Sequence, residues 1–275
     1  MLKLFKNSFK TTNDCIILAT PLIIFLSVLG WYYNYAADSI DNVPKFILAG
    51  VTMLVMASGF LAAWLYMAKK TIALSKKIFV FDKDRVKALA TLALSLPNGI
   101  GRLFLPIIGV VSIYILIYLL LFSGINYLIS HFVGVIDFDA ADWQTLMLSS
   151  ENLTEEISKL SEHELLALDC WSLSSFLGIL FVSFITMLWI PEIVYNEKNS
   201  FKALYNSVVK LFMNFKKSII LFLYIAFLVI LITILNTFLM FNPFLYFFVL
   251  MFYYYLLVYI VVLLFTYYDE TYIKT

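Results

Sequence analysis

Charge is what this sequence has least of. Asp, Glu, Lys and Arg supply 13% of its residues, against about a quarter in soluble domains, and that deficit excludes an ordinary water-soluble fold. Cysteine is nearly missing as well. Cys15 and Cys170 are the only two, so neither a disulfide framework nor a thiolate metal site can be built. Histidine is equally scarce, with His131 and His163 alone. The stretch "HELLA" at His163 begins like a zinc-protease helix, but that motif needs a second histidine four residues on, where Ala167 stands. Two histidines and scattered carboxylates make a weak metal case, and no cofactor is expected. A Gly-rich phosphate loop, a serine nucleophile elbow and a basic nucleic-acid surface are all missing too. No acid, base, nucleophile and metal can be assembled on one side of a bilayer, so an enzyme is the least favoured class.

What the chain has instead is length of apolar run. Hydrophobic residues make up 63% of it and its mean hydropathy is +0.94. A bilayer core of about 30 Å needs roughly 20 apolar helical residues. Six stretches reach that length: Cys15 to Tyr35, Phe46 to Ala68, Leu103 to Ile129, Ser172 to Ile190, Ser218 to Met240 and Phe244 to Tyr268. Only "FNPF" separates the last two, which requires a tight antiparallel hairpin. Seventeen of the 19 Lys and Arg residues fall in segments on the side of the N-terminus, leaving Lys45 and Lys159 opposite. The positive-inside bias therefore places both termini in the cytoplasm of a cell (plasma) membrane protein. The opposite side carries an acidic segment, residues 130–171. Lysines 3, 6 and 10 resemble a signal-peptide n-region, but the first run is too long and ends in the aromatic "GWYYNY", which reads as a retained anchor. On this topology the two cysteines lie at opposite faces and cannot pair within one subunit.

"WIPEIVYNEKNSFKALYNSVVKLF", from Trp189, breaks the fourth run with a Pro-Glu pair. Proline disfavours helical geometry in the residue before it, so the span is expected to end near Trp189 with Glu192 at the cytoplasmic headgroup boundary. A carboxylate beside a helix C-terminus calls for a cation. Arg102 is the first candidate for an interface ion pair with Glu192, and Lys198 the second. Simple hydration of Glu192 is the plainer account, and a buried proton or ion relay the least favoured.

Beyond the break, Ser200 is the expected cap of a helix with Phe201, Leu204, Tyr205, Val208, Phe212 and Phe215 on one face. Lys202, Lys210 and Lys217 lie on the other and are the expected lipid-surface basic residues. Such a helix lies flat on an anionic leaflet. The N-terminal "MLKLFKNSFK" sets Leu2, Phe5 and Phe9 against lysines in the same way. "DKDRVKALATLALSLPNGIG" offers a third such helix, stopped at Pro97-Asn98-Gly99. Three units are thus read, each a surface helix leading into a transmembrane hairpin.

"IPEIVYNEKNSFKALYNSVVKLFMNFKKSI" resembles the most recognisable element of bacterial six-span families related to the membrane domain of glycerophosphoryl diester phosphodiesterases. There an acidic residue precedes a helix with small residues at positions like Ala203 and Ser207, then a basic-aromatic turn. The resemblance implies an integral membrane module. It implies no phosphodiesterase activity, which belongs to a soluble domain not found in this chain.

On the outer side, Thr154 to Leu168 reads as an amphipathic helix, with capping-box spacing at Ser161 and Glu164, that packs as a lid or against a partner. Within the spans, Asn126 and Asn236 are candidate bundle-interior polar residues that bond between helices. Tyr253, Tyr254 and Tyr255 sit near mid-depth of the last span, where at least one must turn inward, with Tyr254 the chosen candidate.

The reading is therefore all-α: a polytopic transmembrane bundle of six spans with cytoplasmic amphipathic interfacial helices, forming one integral membrane domain. Its favoured role is non-enzymatic, organising membrane or protein partners, with anionic inner-leaflet lipid, another protein or a second copy as the expected partners. The alternative is a transporter or permease subunit for a small or lipid-like solute, suggested by the repeat and by prolines 21, 106 and 191. Against it, no charged residue is expected deep in any span.

Overall fold

The computed structural model describes residues 1–40, 42–75, 82–134, 161–239 and 242–273. Its helices are α1 (Leu2–Asp14), α2 (Ala19–Ser39), α3 (Val43–Ser75), α4 (Asp82–Phe132), α5 (Glu162–Thr186), α6 (Trp189–Tyr195), α7 (Ser200–Met213), α8 (Phe215–Leu239) and α9 (Pro243–Tyr268). A 3₁₀ turn, Ile16–Leu18, joins α1 to α2, and a π-helical turn, Asp269–Ile273, follows α9. Six stretches are long and apolar enough to cross a membrane: Ile16–Ala36, Val43–Ser75, Ala90–Phe132, Glu162–Tyr195, Phe215–Leu239 and Phe244–Ile273. The protein is an all-helical, six-span membrane bundle.

The chain forms two compact units, one of Met1–Ser112 with Phe184–Thr275 and the other of Ile113–Ser183. The larger is organised around α9, against which α1, α2, α3, α6 and α8 all pack. The start of α9 is exposed, with Phe244, Phe247 and Phe248 pointing away from protein, whereas Val258, Val262, Leu263 and Tyr268 near its end are fully buried. Asn242 caps it by accepting from the backbone N–H groups of Phe244 at 3.0 Å and Leu245 at 3.2 Å. With a proline at the first helical position, this is a sharp restart after α8.

α1 is not a free surface helix. Leu4, Ser8 and Thr12, spaced by one turn, are buried, and Phe5 stacks on Tyr224 of α8 at 4.1 Å between centroids. Its small Ser8 and Thr12 side chains let it approach α9 closely, and of the expected Leu2, Phe5, Phe9 stripe Phe5 meets α8 and Phe9 lies edge-on to Tyr255 at 6.1 Å and Tyr259 at 6.4 Å of α9, while Leu2 is exposed. The tyrosine that turns to a partner in mid-span is Tyr255, whose hydroxyl donates to Asn13 Oδ1 at 2.7 Å, while Tyr254 is half-buried.

α2 and α3 form a hairpin held by Phe25 stacked on Phe60 at 3.9 Å and by Trp64 Nε1 donating to the Leu18 carbonyl at 2.9 Å. α3 meets α4 at Gly99, where an added Cβ would lie 2.8 Å from both the Ala62 carbonyl oxygen and the Ala63 Cα. The stop expected at Pro97 does not occur. α4 runs through Pro97 and Pro106, as spans do where neighbouring groups take up the freed backbone positions. The surface helix expected from Asp82 is therefore continuous with the third span.

In the smaller unit, Ile125 and Ile129 of α4 pack with Ala167 of α5, flanked by Leu121 and Trp171. Gly134, at φ +146°, ends α4 by donating its N–H to Ile129 O at 3.0 Å, a backbone geometry that favours glycine. The expected outer helix differs too. Residues 154–160 lie outside the described residues, and from Glu162 onward the chain is the start of α5 and not a separate lid helix. Its capping box is formed: Ser161 N–H donates to Glu164 Oε2 at 2.8 Å.

Candidate functional site

Pro191 has no N–H to donate to the carbonyl four residues earlier, at Met187, and its ring crowds that position. The helix accordingly stops at Thr186, and a new one starts at Trp189 with Pro191 in its first turn, where proline is tolerated. The first helix of this span thus ends about one turn before the expected Trp189, and the apolar stretch itself continues to Tyr195. The shift reverses the electrostatics of Glu192, which falls in the first turn of α6 and not at a helix C-terminus. There the helix dipole favours a carboxylate.

Glu192 is also buried, at 1% exposure, so it is neither hydrated nor paired with Arg102. Its Oε2 accepts from Lys210 Nζ at 2.7 Å and from the hydroxyl of Tyr268. Asn196, one turn after Glu192 at the C-terminal end of α6, brings Nδ2 to 3.5 Å from Oε1 and donates to the Tyr268 oxygen at 3.0 Å. Lys210 Nζ also donates to Tyr268 at 2.6 Å. The tyrosine oxygen therefore gives its proton to the carboxylate while accepting from an ammonium and an amide. Arg102 donates instead to the Tyr66 hydroxyl at 3.3 Å on α3, and Lys198 is exposed.

Contacts around these groups hold the cluster in place. Lys210 Nζ lies 4.9 Å from the centre of the Tyr268 ring, and its backbone carbonyl accepts from the Tyr272 hydroxyl at 2.7 Å. Tyr195 stacks on Tyr268 at 5.6 Å and carries Lys69 Nζ 4.4 Å above its own ring, while that ammonium donates to Val194 O at 2.8 Å. Tyr267 and Ser218 share a hydroxyl hydrogen bond of 3.1 Å. Trp189 donates Nε1 to Ser200 O at 2.9 Å, and Ser200 Oγ donates to Pro106 O at 2.9 Å.

Ser200 is thus a tie to α4 and not the cap of α7. The cap is Asn199, whose Oδ1 accepts from Lys202 N–H at 3.1 Å. Ala203, Ser207 and Leu211 are the buried face of α7, and Lys210 lies close enough to that face to reach inward. Phe201 and Tyr205, both 70% exposed, and Phe212, 56% exposed, point away from the protein. Of the three expected surface lysines, Lys202 is exposed and pairs with Glu197 at 3.0 Å, and Lys217 is exposed. Lys210 is half-buried and turned inward to Glu192. The Lys202 ammonium, then the Asn199 N–H, hold the Glu197 carboxyl below the usual carboxylate range.

Asn126, in the smaller unit, is exposed. Asn236 lines an open cleft of about 230 Å³ between α8 and α9 with Thr233, Tyr246 and Tyr253. Neither residue joins the Glu192 cluster. The residues that complete that cluster and escaped the sequence reading are Tyr268, Asn196, Tyr195 and Lys69. Asn196 carried a signal in its one-turn spacing from Glu192, whereas Tyr268 is 76 positions away.

Against known protein families, curated proteins and solved structures, the chain gives no match.

Proposed function

We propose that this protein is a non-enzymatic integral membrane bundle that organises lipid and protein partners at the end carrying its termini, and that this end faces the cytoplasm. The observation that carries the proposal is the presentation of α7. Buried Ala203, Ser207 and Leu211 and the Glu192–Lys210 pair fix it to the bundle, while Phe201, Tyr205 and Phe212 project outward beside exposed Lys202. Aromatic side chains next to a cation, on a helix that cannot roll, are suited to the headgroup layer of an anionic leaflet. The likeness of residues 190–219 to a membrane domain without catalysis of its own fits the same reading.

The Glu192 cluster is a lock in this account. The Glu192 Oε2 is held by Lys210 and Tyr268 and its Oε1 is approached by the Asn196 amide at 3.5 Å, an arrangement that suits a structural tie between α6, α7 and α9. Mass spectrometry of the bundle, extracted with its surrounding lipid by a polymer belt, tests the proposal. Stoichiometric lipid or protein partners are expected, and replacing Phe201, Tyr205 and Phe212 together with serine should release them. A solute flux in proteoliposomes that Glu192→Gln abolishes would instead establish the transporter reading.

A further inference from the structure

We infer that the groove between α1 and the terminal turn is a binding site for a phosphate group that carries an ammonium, the chemistry of phosphoethanolamine. The inference rests on the reading that this end meets phospholipid head groups, and names the head group. The groove has a volume of about 660 Å³, within the range of roughly 300 to 1,000 Å³ typical of small-molecule sites. Three distant stretches build it: Lys3 and Asn7 one turn apart on α1, Asn214 and Lys217 at the α7–α8 junction, and Glu270 after α9. Leu4 and Tyr267, both buried, line it as well. The Tyr267 hydroxyl is occupied by Ser218, so this part of the wall is fixed and neutral.

The charges select the ligand. Lys3, Lys217 and Glu270 are exposed, and none forms an ion pair with another described side chain. A purely anionic ligand satisfies the two lysines and is repelled by Glu270. A purely cationic ligand meets the reverse. A phosphate with an ammonium a few bonds away answers both signs, its oxygens taking Lys3, Lys217 and the Asn7 amide while its N–H groups reach the Glu270 carboxylate. Complete methylation of the amine removes every donor that Glu270 can accept. The chemistry is shared by a lipid head group and by the free phosphomonoester.

Native mass spectrometry in nanodiscs of equal phosphatidylethanolamine, phosphatidylcholine and phosphatidylglycerol tests it. Wild-type protein should retain phosphatidylethanolamine about tenfold over phosphatidylcholine, the worth of one charge-assisted hydrogen bond. Glu270→Gln should erase that preference, and Lys217→Gln should lower retention of all three lipids. Displacement by millimolar phosphoethanolamine identifies the soluble source, and resistance to it the lipid; either supports the site. Retention without preference in the wild type overturns the inference, as does a preference that both substitutions leave intact. The preceding reading fails separately, since its serine variants change Phe201, Tyr205 and Phe212, none of which lines the groove.

Discussion

A buried ion pair is weak evidence of stability for its own sake, because desolvation of two charges consumes most of their attraction. Breaking one is another matter. Lys210→Ala leaves the Glu192 carboxylate at 1% exposure with no cation, and should cost about 3 to 5 kcal/mol in reversible unfolding in detergent. The Glu192→Gln, Lys210→Met double variant should lose less than the sum of the two single changes, since neither charge is then stranded. Tyr268→Phe removes the hydroxyl that joins Lys210, Asn196 and Glu192, and should cost about 1 to 3 kcal/mol. Additive losses across these variants would show that the groups do not act as a unit. A pH effect is expected at Glu197, whose carboxyl is held low in the folded chain by Lys202 and the Asn199 N–H. Its contribution is fully present above the unfolded carboxylate pKa of about 4.3 and disappears as pH falls through the lower folded value. The protection factors of amides at the start of α7 should therefore fall on acidification, and Glu197→Gln should flatten that fall. At this scale the sequence made Glu192 visible, because a Pro-Glu pair interrupts an apolar run. Its partners stayed hidden. Lys210 falls with the basic residues on a helical wheel, and only the α7 crossing, with small Ala203 and Ser207 against the bundle, turns it inward.

Elements follow the sequence closely where the signal is hydrophobic length and diverge where it is punctuation. All six runs became helices, since in lipid every backbone N–H must be satisfied within its own segment. Proline is the expected stop at 97 and the expected break at 191, and only the second interrupts a helix. The chain beside Pro97 is held by Gly99 pressed against Ala62 and Ala63, a tertiary contact with no local sequence signature. That contact predicts a ranking. Gly99→Ala drives a Cβ into backbone atoms and should cost about 1 to 3 kcal/mol. At Gly109 the new Cβ would run into the Ser200 hydroxyl, a group that Ser200→Ala removes. Gly109→Ala should therefore be partly rescued by Ser200→Ala in thermal unfolding, and Gly99→Ala should not. Equal rescue of both would contradict the helix crossings described.

For the whole molecule, the unexpected feature is the depth to which the N-terminal helix is built in. The lysine-and-phenylalanine pattern of α1 read as a surface anchor, yet Leu4, Ser8 and Thr12 are buried and Phe5 stacks on Tyr224. Periodicity reports which residues share a face and not what that face meets, so lipid and α9 are indistinguishable to it. Asn126 and Asn236 are exposed for a related reason: an amide in a span asks for a partner, and the sequence cannot say whether the partner lies in the bundle. Removal of residues 1–14 should therefore lower the unfolding temperature by several degrees, whereas a peripheral anchor would leave it unchanged. The central claim is that lysine sorting sets six spans across the bilayer with both termini inside. Its most direct test is a membrane-impermeant maleimide applied to sealed right-side-out vesicles, with Cys170→Ser as background and Cys15 buried. The account predicts that Glu155→Cys labels at once and Lys3→Cys only after permeabilisation. Labelling of Lys3→Cys in intact vesicles, or protection of Glu155→Cys there, would contradict it.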